Sequence, residues 1–154
     1  MTTRRWFEIE RDVASASRHF GQAVALATGA DMSTATSDGY RNAMAVMHAM
    51  QSGHTSLESA LVRLLRLLGE DLPEGADWHA APLRRVSHDV ADRPALLDPA
   101  MAKAADRTRS FRHVAMRGYD SFDEELAAPA LAAAGTLAER LPSWLVELRR
   151  RLDP

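Results

Sequence analysis

The sequence predicts an all-α fold, a bundle of four to five helices running up and down, and three observations carry that prediction. Apolar residues recur every three or four positions in nearly every segment. No stretch alternates with period two over a length that would make a strand. The breaks between the periodic segments are short, and helices joined by short connections pack most simply as antiparallel neighbours. With 154 residues, 46% of them hydrophobic, the chain has enough apolar side chains for one sizeable core. The expectation is a single domain over residues 1–154.

The elements follow in order. Trp6, Ile9, Val13, Ala16, Phe20, Val24 and Ala27 fall at helical spacing, and Gly29 stands where a helix should end, so a first helix spans roughly 4–28. The polar stretch ADMSTATSD connects it to the next, with Ser37 or Asp38 as a cap. From Tyr40 an apolar stripe runs through Met44, Met47, Leu57, Leu61, Leu64 and Leu68, which predicts one long helix with Gly53 as its weak link and a bend there. The segment GEDLPEGADWHAAP reads as a loop, and Pro82 suits the first turn of a short helix through LRRVSHDVA. Asp98 can cap and Pro99 can open a helix from 99 to about 117, with Gly118 closing it. The last segment, 123–152, has helical period but contains Pro129 and Pro142, each expected to kink or split it.

Composition removes several classes of function. A net charge of −2 gives no global attraction to polyanions, so any site for them must come from local clustering. Without cysteine there is no disulfide, cysteine nucleophile or thiolate metal site. The opening MTTRRWFEIERD turns charged at once and lacks the apolar core of a signal peptide, and the run LAAPALAAAGTLA is too short and too rich in Pro and Gly to cross a bilayer. The expectation is a soluble cytoplasmic protein that neither spans nor binds a membrane. No Walker loop, GxGxxG, GxSxG or HExxH occurs, so no cofactor and no metal are expected. Of the 19 basic residues, 18 are Arg. That skew suits forked recognition of phosphate, and codon bias accounts for it equally well.

The one concentration of chemically capable side chains is FRHVAMRGYD, residues 111–120. On a continuous helix advancing 100° per residue, with Arg109 at 0°, Arg112 falls near −60°, His113 near +40° and Arg117 near +80°. Such an arc can bind a phosphodiester through guanidinium forks, with an imidazole to move a proton near neutral pH. The plainer reading of the spacing is a solvated face whose basic residues complement a helix C-terminus. Of the other histidines, His79 and His88 lie nine apart and do not suit a ligand pair, while His48 and His54 read as core-edge or polar-face residues. Glu58 could face a site, with a surface salt bridge the better reading, and the methionines read as packing.

The blocks GHTSLESALVRLLRLL, DWHAAPLRR, DRPALL and RSFRHVAMRGYD resemble, in order and spacing, HepT-like proteins of the HEPN superfamily over about residues 5–150. The resemblance implies a HEPN-like helical bundle that forms a homodimer. It also implies metal-independent endoribonuclease activity through an R-x4-6-H motif in a cleft between protomers. In that family the toxin pairs with a nucleotidyltransferase antitoxin that can modify a tyrosine just after the motif. Carried over, Arg112 matches the motif arginine, His113 the polar residue after it and Tyr119 the tyrosine. Arg109, Arg112 and Arg117 would hold phosphate. The motif histidine does not carry over, because its position holds Arg117, which keeps a cation but cannot act as a base near neutral pH. An alternative match, Arg107 with His113, shifts the register of the block. Two readings therefore stay open: an RNA-cleaving toxin whose catalysis rests on Arg112, His113 and Arg117, and an inactive bundle that binds RNA or a nucleotidyltransferase.

Overall fold

The computed structural model describes residues 2–72, 80–117 and 121–153, and of residues 2, 112–117 and 121 only the backbone. Five helices account for most of it: α1 (Thr2–Ala27), α2 (Ser37–Leu67), α3 (Ala81–Ser87), α4 (Pro99–Ala115) and α5 (Glu124–Leu152). Between α4 and α5 the chain makes a two-stranded antiparallel hairpin, β1 (Met116–Arg117) with β2 (Ser121–Phe122).

The four long helices close a ring in which each packs between two neighbours. Helix α1 lies antiparallel to α2: Ser15 bonds Ser56 at 3.0 Å, while Arg63 reaches back to Asp12 and Glu8, each at 2.8 Å. It also lies antiparallel to α5, where Arg149 pairs with Glu10 and stands over the Trp6 ring at 5.8 Å. Helix α4 joins the opposite side of α5 through Asp98 and Arg140 and through the Trp144 indole, which donates to the Leu96 carbonyl at 2.9 Å. The ring closes between α4 and α2 at Thr108 and His54. Antiparallel neighbours all round are the up-and-down arrangement expected from short connections.

The first helix matches its sequence pattern closely. Trp6, Ile9, Val13, Ala16 and Phe20 are buried, and Gly29, at φ +68°, turns the chain out of the helix in the left-handed conformation. On α2 the inward row is Ala43, Val46, Met50, Gly53 and Leu57, while Met44 and Met47 sit at its edge and Tyr40 is 53% exposed. The stripe is displaced because α1 and α2 approach so closely that small side chains take the inward positions and methionines fill the flanks. Gly53 shows the reason: a Cβ there would meet the Phe20 ring at 2.7 Å. Gly53 thus marks a helix-to-helix contact, and α2 runs through it unbroken. Its cap is Thr36, not Ser37 or Asp38, accepting from the Gly39 amide at 3.0 Å.

The short α3 opens on Pro82 as expected but stops at Ser87, before the predicted end. There Arg93 takes over: it grips Glu70 through two nitrogens, at 2.6 and 3.0 Å, and bonds the Arg85 carbonyl at 3.1 Å. Arg85 binds the same carboxylate at 2.9 Å. The Arg93 bond, with help from Arg85, holds the Glu70 carboxyl below its ordinary range against the opposing effect of burial. The cluster anchors the α2–α3 side of the bundle to the turn at Val90–Arg93.

Helix α5 is not split by its prolines. It runs continuously from Glu124 to Leu152 with both prolines inside it. Pro142 has no N–H to give the carbonyl four residues back, that of Ala138. The Ser17 hydroxyl of α1 donates to that carbonyl instead, at 2.6 Å. The vacancy is filled from another helix, so the ladder loses a rung without breaking.

Candidate functional site

The segment singled out by sequence begins on α4, whose start is well fixed. Asp98 accepts from the Met101 amide at 2.8 Å and pairs with Arg140, and Pro99 occupies the first helical position. The Met101 bond, then Arg140, hold the Asp98 carboxyl below its usual range, against burial. From this anchor α4 presents two rows of residues. Thr108 faces α2. Ala102, Asp106 and Arg109 face α3 across a groove of about 470 Å³ that Leu83, Arg84 and His88 also line.

Arg109 lies at this groove, bonded to Asp106 through Nε and Nη2 at 3.1 and 2.9 Å. Positions 112 and 113 lie on the same unbroken helix, so the arc from Arg112 to His113 keeps its span of about 100°. Arg117 does not share it. The helix ends at Ala115, and Arg117 sits in β1 opposite Ser121 of the hairpin. The angle assigned to Arg117 on a continuous helix is therefore replaced by a strand position. Phe122 explains the turn: it is buried, and its ring packs on Phe111 of α4 at 6.4 Å between centroids, folding the hairpin back against the helix end. The side chains of Arg112, His113 and Arg117, and the whole of Tyr119, lie outside the described residues.

The sequence reading missed the polar cluster next door. Thr108, 4% exposed, donates its hydroxyl to the Ala105 carbonyl at 3.0 Å, so its oxygen is left to accept from His54 Nδ1 on α2, 2.9 Å away. That assigns the Nδ1–H tautomer to His54. Its Nε2 stands 3.9 Å from Oε2 of Glu58, one turn along α2. Both side chains are largely buried, 16% and 17% exposed, so Glu58 is not the surface residue the sequence suggested. The spacing of His54 and Glu58, four apart on one helix, was visible in the sequence; their meeting with Thr108 was not. Because α2 and α4 run antiparallel, one turn from Thr108 towards position 112 is one turn from His54 towards Met50. Among the described residues no three His, Asp or Glu side chains gather in a form that would hold a metal ion, and no helix is long and apolar enough to cross a membrane.

The fold is thus an up-and-down helical bundle in which the largely buried His54 and Glu58 of α2 meet Thr108 of α4. The family model of HepT-like proteins matches residues 45–152, more than half of the chain, and the chain belongs to that family, a helical HEPN bundle. The match leaves α1 and the first turns of α2 outside it, so it is shorter than the resemblance read from the sequence. No curated protein and no solved structure matches the chain.

Proposed function

We propose that this HepT-like protein acts on RNA at the C-terminal end of α4, as the toxin of a toxin–antitoxin pair. In this reading two copies of the chain bring their 112–119 segments to a shared cleft. Arg112 and Arg117 hold the phosphodiester, and His113 takes the proton of the RNA's 2′-hydroxyl as it attacks phosphorus; the P–O5′ bond breaks, leaving a 2′,3′-cyclic phosphate and a 5′-hydroxyl that receives the proton. A nucleotidyltransferase is the cognate partner, and Tyr119 is the residue it modifies. The observation that carries the reading is the convergence of Arg109 and positions 112 and 113 on one helix, with the Phe111–Phe122 contact folding the Arg117 strand against its end.

A second reading has its own support. Arg117 occupies the position where the family motif has histidine, and a guanidinium cannot accept a proton near neutral pH. The chain would then be an inactive bundle that binds RNA or the nucleotidyltransferase.

One pair of variants separates them. Arg117→His should create or raise RNA cleavage about 10²- to 10⁴-fold, the usual worth of a positioned histidine, and Arg112→Ala in that background should abolish the gain. Cleavage by the parent that His113→Ala stops would assign the base to His113. If neither the parent nor Arg117→His cleaves RNA while both stay folded dimers by sedimentation, the ribonuclease reading fails and the binding reading stands. Mass spectrometry after co-expression with the nucleotidyltransferase tests Tyr119 directly.

A further inference from the structure

We infer that the groove between α3 and α4 seats a nucleotide of single-stranded RNA flanking the scissile bond. The inference rests on the ribonuclease reading and extends it to a binding site outside the 112–119 segment. The groove, about 470 Å³, falls within the range of small-ligand clefts. Its floor is apolar: Leu83 is 7% exposed and Ala102 packs against the core. Its rim is cationic, with Arg84 and Arg109, beside His88. Single strands are held without sequence readout by a cationic groove that tracks the backbone and by side chains that the bases lie against; here the rim supplies the cations and the aliphatic floor, in place of aromatic rings, the surface for a base.

The acid in the groove does not oppose this. Asp106 is bonded to Arg109 in a pair three residues apart on one helix, with the Asp106 side chain 59% exposed. Surface pairs of this kind hold weakly and yield readily to a phosphate, which offers the guanidinium two oxygens in place of one carboxylate oxygen. The carboxylate released is then free to turn into solvent.

Register links the groove to the proposed cleavage site. Ala102, Asp106 and Arg109 follow each other along α4 at four and three residues, and position 113 comes next at four. One helical turn rises about 5.4 Å, of the order of one phosphate-to-phosphate step in an extended strand. A strand whose scissile phosphate lies at position 113 would thus place its neighbouring nucleotide at Arg109 and the floor beyond it. A peptide would also meet this floor, but a cationic rim in a chain of net charge −2 favours an anionic backbone.

The test uses the full-length protein, an unstructured 12-nucleotide RNA and a dinucleotide that spans only a scissile bond. Binding is read by fluorescence anisotropy across a salt series. Arg84→Gln should weaken the longer RNA about tenfold, lower the slope of log affinity against log salt by about 1, and leave the dinucleotide unchanged. Ala102→Glu, which fills the floor with a carboxylate, should do the same to affinity. Because Ala102→Glu can perturb the fold, Arg84→Gln, at the exposed rim of the groove, keeps the test decisive. With 4-thiouridine in the RNA, crosslinks should map to peptides containing residues 83–88 and 102–109. If the parent binds RNA but Arg84→Gln matches it and the crosslinks fall elsewhere, the groove assignment is wrong and the ribonuclease reading survives. If the parent binds neither RNA, both fail together, and capture of an acidic peptide by the same groove would name the other occupant.

Discussion

His54 and Thr108, 54 residues apart in sequence, meet at 2.9 Å across the α2–α4 contact, with the threonine hydroxyl already committed to its own helix. The threonine therefore does two things at once: it fixes the tautomer of the imidazole and ties two helices that otherwise touch sparingly.

Thr108→Val keeps the shape and removes the acceptor. The buried Nδ1–H of His54 then loses its partner, and stability should fall by about 2 kcal/mol, measured by urea unfolding. Thr108→Ser, which keeps the hydroxyl, should retain most of the stability. A larger loss for Ser than for Val would mean that packing of the methyl group, and not the hydrogen bond, is what matters.

Gly53→Ala should destabilise, although alanine favours a helix over glycine by about 1 kcal/mol. The added Cβ meets the Phe20 ring at 2.7 Å, and overpacking of that kind costs about 1–3 kcal/mol. Phe20→Leu combined with Gly53→Ala should lose less than the two single changes summed. A stabilised Gly53→Ala protein would show that Phe20 has room to move.

His19 gives the stability a pH dependence. Burial, then Arg18 and His48, depress its pKa below the ordinary 6.5, so the folded state prefers the neutral ring. The unfolded chain takes up its proton first. This contribution is therefore complete above pH 6.5 and declines as the pH falls from 6.5 through the lower folded value. Glu70 and Asp98, both depressed, add a separate loss only at more acid pH, below about 4. Urea midpoints followed from pH 8 to 5 should decline for the parent and stay flatter for His19→Gln. Identical slopes would remove His19 from the account.

The elements were legible in the sequence where a local signal decided them. Asp98 with Pro99 announced the start of α4, and Gly29 the end of α1, because caps and left-handed turns act within a few residues. What escaped the reading depended on partners far along the chain. The inward row of α2 was displaced because Phe20 needs Gly53 bare, which no window of α2 can reveal. The end of α4 came early because Phe122 draws the hairpin onto Phe111. At the candidate site, Arg109 and the helical course of positions 112 and 113 followed from periodicity, whereas the His54–Thr108 bond joins two helices whose register only the assembled bundle sets.

Proline 142 has a consequence for how the chain comes together. The carbonyl of Ala138 receives its donor from Ser17, 121 residues earlier, so the last helix is complete only when the first has docked. Alone, α5 is two shorter stretches meeting at an open acceptor, each near the length at which isolated helices fray. Its full set of hydrogen bonds thus depends on a contact from the other end of the chain. A fragment limited to the family-matched residues 45–152 lacks that donor. Its C-terminal helix should then show amide exchange near Pro142 that is fast compared with the whole protein.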